Sequence, residues 1–450
     1  MNTGAAVERQ WADDFQSLVD RLPGHDSPWM RGLRDRALAA FLEQGFPTRR
    51  HEAWKYTNLR PLLRQRFLPL LAPADEQPLI RRFLLTGAET LRLVFVDGRL
   101  MPHLSNACCL PDGLILTSLA AQLDKDPDLV RPWLDQVVPE GRHAFQWLNT
   151  AFMTDGAFIH VRGGVEIDTP IELLYVNTGG HPDGAGAAWW RNLIVAEPGS
   201  RVGIVETYVG EGGQPRLDSA LTELVAGEAA QVLHHRVVQA AEKAWHMGGI
   251  HVRVGPQAQV DGFQLNLAGA VARTDIGVSL DGDGAVCRLH GLVLGNDSEH
   301  ADNEVVVEHC APQTTSRQLF RSVLDGESRG SFAGRVVVHP QAQGTDAEQA
   351  NHNILLSDRA QADAKPQLEI NADDVKCSHG STVGQLDEAH LFYLRSRGLD
   401  IGTARDLLVY AFASDVIGAM AVKPLRRRIE QYLSDEVLHI ENLHDLPGRP

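Results

Sequence analysis

Through the middle of this chain a turn followed by a short β-rich run recurs at a nearly fixed interval. The pieces are EPGSRVGIVE from residue 197, AGEAAQVLHH from 226, VGPQAQVDGF from 254, DGDGAVCRLH from 281 and EHCAPQTTSRQL from 308, spaced 27 to 29 residues apart. The series continues at shorter intervals as DGESRGSFAG from 325, HPQAQGTDAE from 339, DRAQADAKPQL from 358 and NADDVKCSHG from 371. A unit of this length cannot bury its apolar face alone; it buries it against the copies before and after it, as in a solenoid or propeller. WD and kelch signatures are missing, and so is the strict hexapeptide code of the acyltransferase coil. The expected fold is therefore mainly β, a right-handed parallel β-helix, with an irregular sandwich as the alternative. Such a body has two ends with unpaired backbone groups, which must be capped or paired with another chain.

Helical periods flank the repeats. Residues 9 to 70 favour helix: FQSLVDRL and MRGLRDRALAAFLEQGF carry apolar side chains at three- and four-residue intervals, punctuated by Pro23-Gly24 and Pro47. RRHEAWKYTNLRPLL reads as a packed corner holding Trp54 and Tyr56, LPLLAPADEQP as a linker, and LRLVFVDGRL as the first clear strand and turn. After residue 386 helix returns, in LDEAHLFYLRSRG ending at Gly398, in a helix capped by Thr403, and in a last one opening near Pro424. In the middle helix Leu407, Leu408, Ala411, Phe412, Ser414, Asp415 and Ile417 alternate between core-like and surface-like positions. The implied domains are 1–90, helical; 91–385, β-helix; and 386–450, helical and too short to bury its faces without docking on the solenoid, another subunit or both.

Charge and motifs exclude several functions. A formal net charge of -16 opposes any basic face for nucleic acid. No apolar run is long enough to span a membrane and no secretory leader opens the chain, so a cytoplasmic location is expected. P-loop, Rossmann, zinc-protease and nucleophile-elbow motifs are all missing, so ATP use would have to reside in a partner. The five cysteines do not form a disulfide framework. Cys108 and Cys109 read as buried residues on opposite faces of a strand. Cys287 and His290, three apart, and His309 and Cys310, adjacent, read as incidental. The histidines of VLHHRV and WHMGGIHVRV read either as ligands or as rows of polar side chains on the solenoid's outer face.

One pair carries chemistry. In NADDVKCSHG a strand sends Asn371, Asp373, Val375, Cys377 and His379 to one face. A thiolate beside an imidazole is a half-site for iron or zinc, because tetrahedral coordination needs about four ligands. Nucleophilic catalysis and plain core packing remain the other readings of the pair, although i, i+2 neighbours on a flat strand seldom give the geometry of a nucleophile and its base.

Taken with the GFPTRRHEAWKYTNL corner and the repeat body, the stretch NADDVKCSHGSTVGQLDEAHLFYLRSRGL resembles the SufB/SufD family of the SUF iron-sulfur cluster assembly system, on its SufD branch. The resemblance implies a non-catalytic scaffold subunit rather than an enzyme. It would pair through its β-helix with a SufB-type paralogue and through its C-terminal helices, around TARDLLVYAFASDVI, with a SufC-type ABC ATPase. It also implies that Cys377 and His379 lie at the paralogue interface as candidate ligands of iron or a nascent cluster, held transiently and shared with the partner, with none tightly bound to the chain alone. A homodimer of the isolated chain is a further candidate. The functions set against this one are a β-helix enzyme acting on carbohydrate or transferring acyl groups, and a stand-alone iron-donating protein.

Overall fold

The structure is a computed structural model that describes residues 3–71, 80–86, 89–139, 141–181, 183–210, 213–267 and 269–438. The expected linker LPLLAPADEQP falls mostly outside the described residues. The repeat region forms a parallel β-solenoid of about seven turns. Its strands, in chain order, are β1 (Ile171–Asn177), β2 (Gly184–Ala196), β3 (Arg201–Gly210), β4 (Arg216–Ala226), β5 (Gln231–Gln239), β6 (Ala244–Val254), β7 (Gln259–Leu267) and β8 (Val271–Leu280). They continue as β9 (Val286–Gly295), β10 (His300–His309), β11 (Thr315–Leu324), β12 (Arg329–Val338), β13 (Thr345–Leu355), β14 (Gln361–Ile370) and β15 (Val375–Gly384). Odd-numbered strands stack in one sheet and even-numbered strands in the other. In the odd sheet Gln231 pairs with Gln259, Gln259 with Val286 and Val286 with Thr315, offsets that fall on the repeat interval seen in the sequence.

The repeated punctuation has a backbone cause. Each turn from an even to an odd strand, except the last one after Ile370, contains one residue in the left-handed region: Gly199 (φ 69), Ala229 (φ 54), Gln257 (φ 54), Gly284 (φ 68), Gln313 (φ 55) and Gly344 (φ 74). Only glycine adopts this conformation without a steric cost. The turns at Ala229, Gln257 and Gln313 therefore persist because the ladders on both sides fix them.

Alternate side chains of each strand fill the lumen. Near its start the filling is aromatic, with Tyr175 stacked between Phe95 (4.9 Å) and Tyr208 (4.6 Å), beside Trp190. In the middle it is polar and satisfied: Glu206 accepts from Thr222 (2.8 Å), His234 (3.0 Å) and Asn192 (3.2 Å). Burial alone would raise the Glu206 carboxyl, but His234 and Arg236 outweigh it and hold it at about 2. Toward the far end the lumen is lined by Gln318, Gln349, Asn351 and Asn353.

Both outer faces of the solenoid are covered. Helices α1 (Thr3–Leu18), α2 (Pro28–Gln44) and α3 (Ala144–Phe152) pack on the even sheet, with Trp11 and Phe152 against Trp189 at 5.6 and 5.3 Å. Beyond Gln44 the expected helix gives way to short 3-10 turns, because Pro47 and Pro61 interrupt it. Trp54 in that corner is buried, as expected. At the other terminus α4 (Glu388–Ser396) is followed by α5 (Ile401–Ile417), which lays Val409, Ala413, Val416 and Ile417 on the odd sheet against Val205, Val237 and Leu265, and by α6 (Lys423–Tyr432). The N-cap of α5 is Asp400 rather than Thr403: its carboxylate accepts from the Gly402 and Thr403 amides at 2.9 and 3.1 Å. The buried stripe of α5 is accordingly Ala404, Val409, Ala413, Val416 and Ile417, so of the positions read as core-like only Ile417 is fully buried.

These covers correct the reading of the histidines as outer-face polar rows. His234 and His246 point into the lumen, and His235 and His251 lie buried beneath the flanking segments. Burial, helped by the neighbouring His234, lowers His235 to about 4; burial likewise lowers His251 to about 3 and His309 to about 4. A folded-state pKa below the unfolded value of about 6.5 gives stability that is present above pH 6.5 and lost as pH falls toward 4. Each such histidine is expected to withdraw on the order of 2 kcal/mol across that window. Both ring nitrogens of His235 lack a hydrogen-bond partner among the described residues, so His235→Leu is expected to flatten the fall in urea midpoint between pH 7 and pH 4. An unchanged slope would count against this assignment.

Candidate functional site at the open end of the solenoid

The two ends of the solenoid differ. At the start, strand Leu91–Val96 continues the odd sheet and is closed by antiparallel Arg99–Leu100, while Ala157–Val161 continues the even sheet and is closed by antiparallel Leu114–Ser118. At the finish, β14 and β15 are the terminal strands of their sheets, and each leaves one side of a ten-residue backbone without a ladder partner among the described residues. Most side chains of β15 are exposed and those of β14 are half-buried to exposed, with Ile370 and Val383 both open to solvent. An exposed parallel edge of this length is a template for pairing with another chain.

Cys377 and His379 sit on that last rung. The strand carrying them begins at Val375; Asp373 and Asp374 form a bend before it, with the Asp374 amide donating to Gln343 Oε1 at 2.9 Å. Asn371 and Asp373 therefore drop out of the expected row, which runs Val375, Cys377, His379. Register with β13 sets Cys377 beside Ala347 and His379 beside Gln349, both buried, so the pair faces inward at the mouth of the lumen. Cys377 packs on Val336, Val338, Ala342 and Ala347, and this partial burial raises its thiol pKa. His379 is exposed. Behind it Gln349 Nε2 donates to Gln318 at 3.1 Å, giving the mouth a polar lining. Each rung adds about 4.8 Å. A one-chain metal site here would need two further ligands, and the inward column beneath Cys377 runs Ala347, Ser316, Cys287. Cys287 is buried about 14 Å away and its thiol is pushed up by burial, out of reach of a shared ion.

The remaining sequence candidates separate. His290 faces away from Cys287. His309 is buried and held by Thr314 (2.7 Å) and Ser316 (2.9 Å), while Cys310 points outward. Cys108 and Cys109 are both exposed and lie in a bend, not a strand, because the turn at Pro111 breaks the segment before Leu114.

The sequence reading did not pick out a buried ionic cluster beneath the N-terminal corner. Arg273 bonds Asp275 and Asp302, each at 2.6 Å, and Glu304, and lies 4.0 Å from the Trp54 ring. Burial alone would raise Asp275, but Arg273 and His143, the latter at 2.8 Å, hold it well below the carboxylate range. Alternating charges in the strand sequences VARTDIGV and ADNEVVV are the signal that could have revealed this cluster. Beside it lies a cavity of about 610 Å³ lined by His51, His143, His251 and Arg335 among others.

Comparison with known proteins places this architecture. Residues 178–412 match the family description "SUF system FeS cluster assembly, SufBD core domain", and residues 5–173 match "SufBD protein N-terminal region". An iron-sulfur cluster assembly SufBD family protein of Synechocystis is 30% identical over 86% of this chain and 87% of its own length. The iron-sulfur cluster assembly protein SufD of Escherichia coli is 29% identical over 87% of this chain and 89% of its own. A SufBD family protein of Mycobacterium tuberculosis is 31% identical over 61% of this chain and 70% of its own.

Proposed function

We propose, for a chain that belongs to the SufBD family of iron-sulfur cluster assembly proteins, a role as a non-catalytic scaffold subunit that works only in a complex. Its open solenoid end pairs with a SufB-type paralogue. Its C-terminal helices dock a SufC-type ABC ATPase. Cys377 and His379 supply half of a ligand set for iron or a nascent cluster, which is cargo of the complex, and the paralogue completes the set. The observation that carries this reading is the coincidence of two unpaired parallel edge strands with an inward-facing thiol and imidazole on the same rung. A parallel edge accepts another strand through main-chain hydrogen bonds, and a soft-borderline ion accepts sulfur and nitrogen ligands.

Anaerobic co-expression with the paralogue and the ATPase tests the assembly. One stable complex containing iron and sulfide is expected, with no ATP hydrolysis by this chain alone; iron and sulfide retained stoichiometrically by the isolated chain would contradict the half-site.

The C-terminal unit offers a distinct surface. While α5 is anchored by Arg321 to the Phe412 carbonyl (2.6 Å) and by Arg405 to the Leu356 carbonyl (2.6 Å), α4 buries none of its residues and exposes Phe392 (74%) and Tyr393 (55%). Phe392→Asp is expected to weaken capture of the ATPase about tenfold or more while leaving pairing with the paralogue intact, as read by co-purification and by titration of ATPase onto immobilised complex. Undiminished ATPase capture would move that interface away from α4.

A further inference from the structure

A second group of metal-ligating side chains lies away from the open end, on the turns that leave the even sheet. Parallel register pairs Leu280 with His309 and His309 with Val338. The next residue of each strand end, Asp281, Cys310 and His339, therefore occupies the same position on three successive rungs. The backbone confirms the stack: the Cys310 amide donates to the Leu280 carbonyl and the His339 amide to the His309 carbonyl, each at 3.0 Å. Gln341 Nε2 donates to the Cys310 carbonyl at 3.0 Å and fixes one turn over the other. Equivalent positions on other rungs hold Glu197, Gly227, Gly255 and Asn371, so sulfur and imidazole meet only here.

The side chains converge. One ligand atom from each of Glu308, Cys310 and His339 lies within 4.8 Å of the other two. His339 Nε2 stands 3.6 Å from the Glu308 carboxylate, is shielded from solvent, and has no hydrogen-bond partner among the described residues. Cys310 Sγ makes a weak contact with Ser279 Oγ at 3.5 Å, and the Asp281 carboxylate faces the thiol from the preceding rung. In a tetrahedral zinc site, metal-ligand bonds of about 2.0 to 2.3 Å put ligand atoms about 3.3 to 3.8 Å apart. Separations of up to 4.8 Å exceed this spacing, so closing the cluster onto an ion calls for rotation of these half-exposed side chains.

We propose that Glu308, Cys310 and His339 bind one divalent transition cation of zinc-like softness, with a fourth coordination position left for water or an incoming ligand. The donor set selects for this class: a hard cation such as magnesium or calcium prefers oxygen alone, whereas thiolate with imidazole and carboxylate suits zinc, cobalt and ferrous iron. The site is independent of the pairing proposed for the open end. It lies on the outside of the turns, needs no second chain, and does not involve Cys377 or His379.

Cobalt(II) is the probe, titrated anaerobically into chelator-treated protein carrying Cys108→Ser, Cys109→Ser and Cys377→Ser, so that Cys310 is the remaining thiol outside the core. One equivalent is expected to bind with a thiolate-to-cobalt charge-transfer band, to be displaced by zinc, and to raise the unfolding midpoint. Adding Cys310→Ser should abolish the band, and His339→Ala or Glu308→Gln should weaken affinity about tenfold or more. Cys310→Ser and Glu308→Gln are nearly isosteric, and their apo unfolding curves establish that they fold. Absence of the band, its survival in Cys310→Ser, or unchanged affinity in His339→Ala would overturn the proposal.

Discussion

Arg273→Met is expected to lower the free energy of unfolding by about 3 to 5 kcal/mol, the largest stability effect of any single substitution considered for this chain. The guanidinium is buried and makes charge-assisted bonds to three carboxylates, those of Asp275, Asp302 and Glu304. It also donates to the Ala53 carbonyl at 2.9 Å and lies under the Trp54 ring, so it ties the N-terminal corner to β8 and β10. Removing it leaves largely buried carboxylates, and the solvent reaching the adjacent cavity only partly compensates for the lost cation. Asp302 keeps its bonds from Thr57 and Ser331, and Asp275 keeps His143, but none of these offsets a buried net negative charge. The effect should therefore depend on the partners. In Arg273→Met/Asp275→Asn/Asp302→Asn the loss should shrink by at least about 1 kcal/mol relative to the single variant, because two of the orphaned charges are gone. Urea unfolding of the single and triple variants checks this, and limited proteolysis should find the 45–60 corner first in Arg273→Met. Equal destabilisation in both variants would mean that packing on Trp54, not charge, holds the corner.

The second large effect is functional. His379→Ala is expected to cut cluster assembly by the complex at least about tenfold while the complex still forms, because a lost ligand typically costs an order of magnitude or more in metal retention. His379 is exposed at the mouth of the lumen, so its truncation leaves no cavity and no buried unpaired group. Cys377→Ser should act in the same direction, with a small added stability change because Cys377 also packs on Val336 and Ala347. The readout is iron and sulfide per complex after anaerobic reconstitution, alongside the yield of complex. Full loading of the His379→Ala complex would remove this residue from the ligand set and leave the edge strands as a purely structural junction.

The solenoid was legible in the sequence because its turns recur with its rungs: the left-handed residues at Gly199, Gln257, Gly284 and Gln313 mark the same corner each time. The shared face of Cys377 and His379 was legible for a similarly local reason, the two-residue period of a strand. What covers the outer faces was not. His235 and His251 look like solvent-facing polar residues of their strands, and only α5 and α3, distant in sequence, make them buried. Cys108 and Cys109 misled in the opposite sense, since an apolar pair between Asn106 and Pro111 fits a buried strand until the turn that prevents pairing is seen. Cys310 shows the limit most clearly. Its neighbour in sequence, His309, turns inward, and the imidazole it meets belongs to His339, one rung later, where register alone brings them together.

In the proposed complex a paralogue completes the unpaired strands of the last rung. Amide hydrogen exchange over Gln361–Ile370 and Val375–Gly384, measured for the chain alone and for its complex with the SufB-type partner, tests it directly. In the isolated chain the amides pointing away from the ladder should exchange rapidly, and in the complex they should become protected, alternating along each strand as a parallel ladder requires. A stable complex in which those same amides stay as unprotected as in the free chain would rule out pairing at this edge.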